Sequence, residues 1–468
     1  MPTVASTVPE LLGLLAPAAA VSDGRLTISD PAAFRSTTIR DLAWTSAFSS
    51  DDATLEAARW LVWEASIELG AHSASIQELY LARARGEVHG FTVPAMNLRA
   101  QSFDLARTIF TTAESAGVGA LILEIARSEQ TYTYQRPAEF ATSVLAGAIA
   151  AGWQHPVFIQ GDHYQFNAAK YAADPEKMTE EIRGACRQAI AVGYRNIDID
   201  SSTLVDLAQP NVDLEQRQNY IRAAELTALI RELEPDGITI SVGGEIGEVG
   251  KQNSTEPELR AYLDGFNGEL SRRRPGAAGI SKVSLQTGTS HGGVPLPDGS
   301  IAAVKLDFEV IRRLGDVARE YGLAGAVQHG ASTLPDELFH HFPAVETAEI
   351  HLATGFQNSL LDNPAFPAEL TKAIDAWCYA EAIGERKAGQ TDEQFVYTTR
   401  KKAVGPFKRQ LWDLPEKDQI LADQAKKIAF LFKELAVLES QPMVDRYIHP
   451  VVHHREAPVA VREALVTL

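Results

Sequence analysis

Residues 157–167, VFIQGDHYQFN, carry an apolar run straight into an adjacent carboxylate and imidazole, Asp162 and His163. Two more histidines follow later runs of the same kind: His291 in GTSHGG and His329 in VQHGAS. Three imidazoles brought to one place can hold a zinc ion and leave a coordination position open for a substrate. Carboxylates beside such ligands orient the rings or transfer protons. Glu124, Asp162, Asp200 and Glu245 end apolar runs, and Asn97, His351 and Thr354 add polar groups at similar places. The small residues in SHGG and HGAS let backbone N–H groups approach an anion, although the same glycines also permit tight turns.

These residues need a scaffold that delivers strand ends to one place. Eight short runs rich in Val, Ile and Phe lie at 90–97, 119–125, 156–162, 195–200, 238–245, 282–288, 324–330 and 348–354. Amphipathic segments such as SFDLARTIFTTAESAG and DFEVIRRLGDVAREYG separate them. Strand–helix alternation calls for a parallel sheet, and eight repeats suit a closed (β/α)8 TIM barrel of α/β class over 86–365. An open doubly wound sheet is the alternative, but polar residues at the ends of many strands favour the barrel mouth.

Residues 1–85 read as a helical extension, with Asp51 and Asp52 placed to cap the start of DDATLEAARWLVWEASIELG. Residues 366–468 read as a second helical extension. Its basic cluster TTRKKAVGPFKR is either a solvated helix face or a source of phosphate contacts from Arg400, Lys401, Lys402 or Lys408.

The 468 residues are 45% apolar and 22% charged, as in ordinary globular chains. With 43 Lys and Arg against 61 Asp and Glu, the net charge of −18 argues against broad nucleic-acid or anionic-membrane binding. Cys186 and Cys378 are the two cysteines; they form no Cys-x-x-Cys motif and fit a reducing compartment. The apolar run LLGLLAPAAAV has no basic residue before it and is too short to span a bilayer, so a cytoplasmic protein is expected. Phosphate-loop, dinucleotide and His-Glu-x-x-His motifs are absent from the sequence.

FTVPAMN, GDH, IDSS, GGEIGEVG, GTSHGG, VQHGAS and AEIHLAT occur in the order seen in class II, zinc-dependent ketose-bisphosphate aldolases, and residues 88–360 resemble that family. The resemblance implies Zn2+ on His163, His291 and His329, with Glu245 and Asp200 close to the metal. It implies a proton-transfer role for Asp162 on the hydroxyl that becomes the aldehyde. Gly292, Gly330, Ser332 and Thr354 would hold phosphate, with Asn97 and His351 at the substrate. The expected reaction is the cleavage of fructose 1,6-bisphosphate to dihydroxyacetone phosphate and glyceraldehyde 3-phosphate through a zinc-stabilised enediolate. A homo-oligomer, and in some cases a monovalent cation, accompany this chemistry in the family.

Four departures bear on the reaction. Gln160 replaces the first histidine of His-x-Asp-His, Ala126 a serine, and His351 an asparagine. The family's acidic loop pair falls on Gln252 and Asn253, which leaves Glu248 or Glu256 to move the enediolate proton. A C4 epimerase that breaks and remakes the bond on the same zinc site is therefore the alternative expectation. A non-catalytic structural subunit is a third, against which the histidine triplet argues.

Overall fold

The computed structural model describes residues 2–247, 252–288 and 306–467. Each of the eight apolar runs forms a strand: β1 Val93–Asn97, β2 Ile122–Ala126, β3 Phe158–Gln165, β4 Asn196–Asp200, β5 Ser241–Glu245, β6 Lys282–Leu285, β7 Ala326–Gln328 and β8 Glu349–Leu352. They pair in parallel in sequence order, and β8 closes on β1 to complete the barrel. Both faces of these strands are covered, which is why most of them read as continuous apolar runs rather than alternating ones.

The intervening helices begin and end where the local chemistry dictates. Asn211 caps Val212–Leu233 by accepting from the Leu214 N–H, and Thr255 with Glu258 forms a reciprocal capping box on Glu256–Arg273. Gly152 stops Pro137–Ala151 in the left-handed region at φ 81°. Every strand therefore presents its carboxyl end to the same mouth.

The N-terminal extension is mainly helical, as expected, and also holds one short hairpin. Ala19–Ser22 and Arg25–Ile28 form an antiparallel hairpin around Asp23-Gly24, both at positive φ. Asp-Gly supplies the primed turn that tight hairpins favour, so the short strands were written in the dipeptide rather than in periodicity. Helix Asp52–Glu68 starts as expected, with Asp51 accepting from the Thr54 N–H at 2.8 Å.

Both extensions are anchored. The Trp44 indole donates to Asp413 at 2.8 Å, and those of Trp60 and Trp63 donate to the Arg455 and His453 carbonyls. Helices of the C-terminal region build a second apolar cluster, with Ile374, Cys378, Phe395, Leu411 and Ile420 inside it. Among the described residues, no helix is long and apolar enough to cross a membrane.

Candidate active site

The adjacent pair Asp162–His163 does not sit at a strand end. β3 runs on to Gln165, and its pairing with β4 slips between Gly161 and Tyr164, where three residue steps on β3 face two on β4. His163 takes φ 44° within this bulge. In a regular strand neighbouring side chains point to opposite faces; the bulge instead lets Asp162 and His163 line one cavity. Gly161 is required there, since a Cβ would lie 2.4 Å from the buried Tyr164 ring.

The His163 and His329 ring centroids lie 4.3 Å apart with the planes tilted by 39°, and His329 lies 4.0 Å from His351 with a tilt of 30°. His163 Nδ1 lies 3.1 Å from Asp200 and 3.4 Å from Glu245, while the Ser284 hydroxyl meets His329 Nε2 at 2.9 Å. Four groups of donors among the described residues are compact enough to share an ion, and two of them contain His163: Asp162–His163–His329 and His163–Asp200–Glu245, each with ligand atoms within 4.8 Å of one another. Nitrogen donors mixed with carboxylates suit a divalent transition metal, so this donor set fits the zinc that the motifs imply. Burial, reinforced by the Asp200 charge, pushes the Glu245 carboxyl up to about 7. The Asp200 carboxyl is also raised by burial, but hydrogen bonds and the charge of His163 outweigh this and leave it below its usual range.

Beneath the histidines lies a fully buried polar floor. Lys282 Nζ donates to Gln160 Oε1 at 2.7 Å, Asp198 at 3.0 Å and Glu349 at 2.5 Å. Gln160 donates in turn to Glu124 and Glu349, both at 2.9 Å, and the Tyr80 hydroxyl closes the second oxygen of Glu349. His351 joins floor to mouth, 3.0 Å from Glu124, 2.8 Å from Glu349 and 3.4 Å from Asp162. Lys282, Asp198 and Glu349 were not among the residues expected at the site. The available signal was charge inside runs whose two faces both had to be buried, as in NIDID and KVSL.

The cavity above this floor has a volume of about 260 Å3. Gly330, Ser332, Thr354 and His351, the residues expected to hold substrate or phosphate, line it together with Glu124. Its far wall adds Arg99, Glu129 and Tyr132, which were not foreseen, and Lys401, one of the four cations considered as phosphate contacts, faces it from the C-terminal region. Glu129 neutralises Arg99 at 2.6 Å and also accepts from the Ala126 N–H and from Asn97, so Asn97 positions the wall and does not itself line the cavity. Glu256 is placed elsewhere, at the first turn of its helix, where it pairs with Arg260 at 2.9 Å. His291, Gly292 and Glu248 lie outside the described residues.

The model of the family described as fructose-bisphosphate aldolase class-II matches residues 79–403. That span exceeds the stretch the motifs cover and takes in Lys401. Among solved structures, a glycerol complex of the fructuronate-tagaturonate epimerase of Cohnella laeviribosi is similar at TM-score 0.57 and 10% identity, over 89% of this chain and 93% of that one. A probable tagatose 6 phosphate kinase from Sinorhizobium meliloti 1021 is similar at TM-score 0.51 and 15% identity, over 80% and 98%. The fructose-bisphosphate aldolase of Campylobacter jejuni follows at 0.48 and 16%, over 79% and 97%. At such identities the first two likenesses show a shared fold.

Proposed function

Because this chain belongs to the class-II fructose-bisphosphate aldolase family, we propose that it reversibly cleaves a phosphorylated ketose, fructose 1,6-bisphosphate giving dihydroxyacetone phosphate and glyceraldehyde 3-phosphate. The observation that carries the reading is the bulged β3, which sets Asp162 beside His163 and opposite His329. His163 and His329, with Glu245 and Asp200 close beside them, would hold a zinc ion. When bound, that ion stabilises the negative charge left as the carbon–carbon bond breaks.

The remaining work falls to the chain. Asp162 takes the proton of the hydroxyl that becomes the aldehyde and returns it in the synthetic direction. Asp200 fixes the His163 ring through Nδ1, and Ser284 fixes His329 through Nε2. Ser332 and Thr354 bind the substrate in the cavity.

One observation favours a second reading, a C4 epimerase. Glu256 is committed to Arg260 rather than to the cavity, and the loop positions where an acid is expected are Gln252 and Asn253. An enzyme that recloses the bond has no need to protonate the enediolate. An epimerase is among the chains that share this fold.

Incubation with fructose 1,6-bisphosphate tests the reading. Trioses that disappear on chelation and return with zinc are the expected result. Epimer without trioses would replace the aldolase by the second reading, and no turnover of the zinc-loaded protein would remove both.

A further inference from the structure

The basic cluster after the barrel divides into paired cations and one exception. Arg400 binds Asp362 and Asn358, Lys402 binds Glu385, Lys408 binds Glu139, and Arg409 binds Asp413. Lys401, half-buried, lines the active-site cavity and forms no ion pair or hydrogen bond among the described residues. Its nearest charged company is poorly suited to it. Arg99 repels it, and Glu129 already serves Arg99, Asn97 and a backbone N–H. Removing an ammonium from water without a partner is costly, and evolution seldom retains such a group without a use.

We propose that Lys401 is the specificity residue for an anionic group on the substrate, a phosphate or a carboxylate, which completes its ion pair on binding. The proposal rests on the cavity being the active site and adds to that reading a substrate class, an acyclic or cyclic sugar that carries an anion away from the metal-binding residues. Thr354 and Ser332 line the same cavity and offer hydroxyl donors to that group. Arg99 remains occupied by Glu129 and by Gln357 at 3.2 Å, and so acts as part of the wall. Burial, with Arg99 adding to it, holds the Lys401 ammonium below its ordinary range; an arriving anion would reverse that direction.

Direct binding tests this without turnover, so an inactive protein would sink the aldolase reading and leave the present one measurable. Inorganic phosphate and glucuronate are titrated calorimetrically into the full chain and into Lys401→Ala, Lys401→Arg and Lys402→Ala. Loss of one charge-assisted hydrogen bond predicts that Lys401→Ala weakens the better of the two probes by about tenfold to a hundredfold. Lys401→Arg should keep most of the affinity, and Lys402→Ala all of it. Tighter phosphate points to a sugar phosphate and tighter glucuronate to a sugar acid. Equal affinity in wild type and Lys401→Ala, or binding of neither probe to the wild type, overturns the proposal.

Discussion

Two lysines enclosed by this protein have opposite surroundings. Lys282, in the barrel floor, meets three acceptors within 3.0 Å, and its Asp198 and Glu349 partners overcome the burial that opposes its charge and raise its pKa. Lys401, at the mouth, meets none, and burial lowers its pKa. Lys282 is matched by the acceptors around it, whereas Lys401 lacks an anion of its own among the described residues. A buried charge that is fully matched serves the fold, whereas one left unmatched in a cavity marks where a ligand belongs.

The largest effect should come from the residue that touches both regions. Asp162 lies 3.4 Å from His351 below and 3.9 Å from His163 above. Asp162→Asn should lower turnover by about 10²–10⁴-fold, the usual contribution of a positioned acid–base group. Metal content, read by atomic absorption, should stay at the wild-type level. Full activity in this variant would detach the mouth's chemistry from Asp162.

Next comes the floor itself. Lys282→Met leaves Asp198 and Glu349 buried with only His351 to offset them, which should cost about 3–5 kcal/mol in denaturant unfolding. Because the folded pKa of Lys282 is raised, the stabilisation is fully present below its ordinary value of 10.5 and disappears as pH rises through the folded one. The gap between wild type and variant should therefore persist at neutral pH and narrow only in strong alkali. A variant as stable as the wild type would show that the floor's carboxylates tolerate each other without the lysine.

The smallest effect is expected at Lys402, whose pairing with Glu385 is solvent-accessible. Lys402→Ala should change stability by about 0–1 kcal/mol. A larger loss would mean that the cluster acts as a unit, and the contrast with Lys401 would blur.

Much of this was legible in the chain because it follows from local rules. Eight apolar runs gave eight strands, and the strand-end pattern put His163, His329, Asp200 and Glu245 together. What escaped was set by pairing between distant segments. The slip of β3 against β4 cannot be seen from β3 alone, so the apolar run appeared to stop at Asp162. Lys282 looked like a lone charge opening a strand, since its partners come from β3, β4 and β8. The basic cluster offered four equivalent cations, and only the positions of Asp362, Glu385 and Glu139 separated Lys401 from the others.

The bulge in β3 also has a genetic consequence. Substituting Asp162 or His163 alters one side chain and leaves its neighbour in place. Deleting a single codon from the GDHY segment would put β3 back in phase with β4, and regular alternation would then turn one of the two functional groups toward the wall. In-frame deletions here should behave as an all-or-none lesion. For the same reason, anyone moving this pair into another barrel must carry Gly161 and the extra residue along with it.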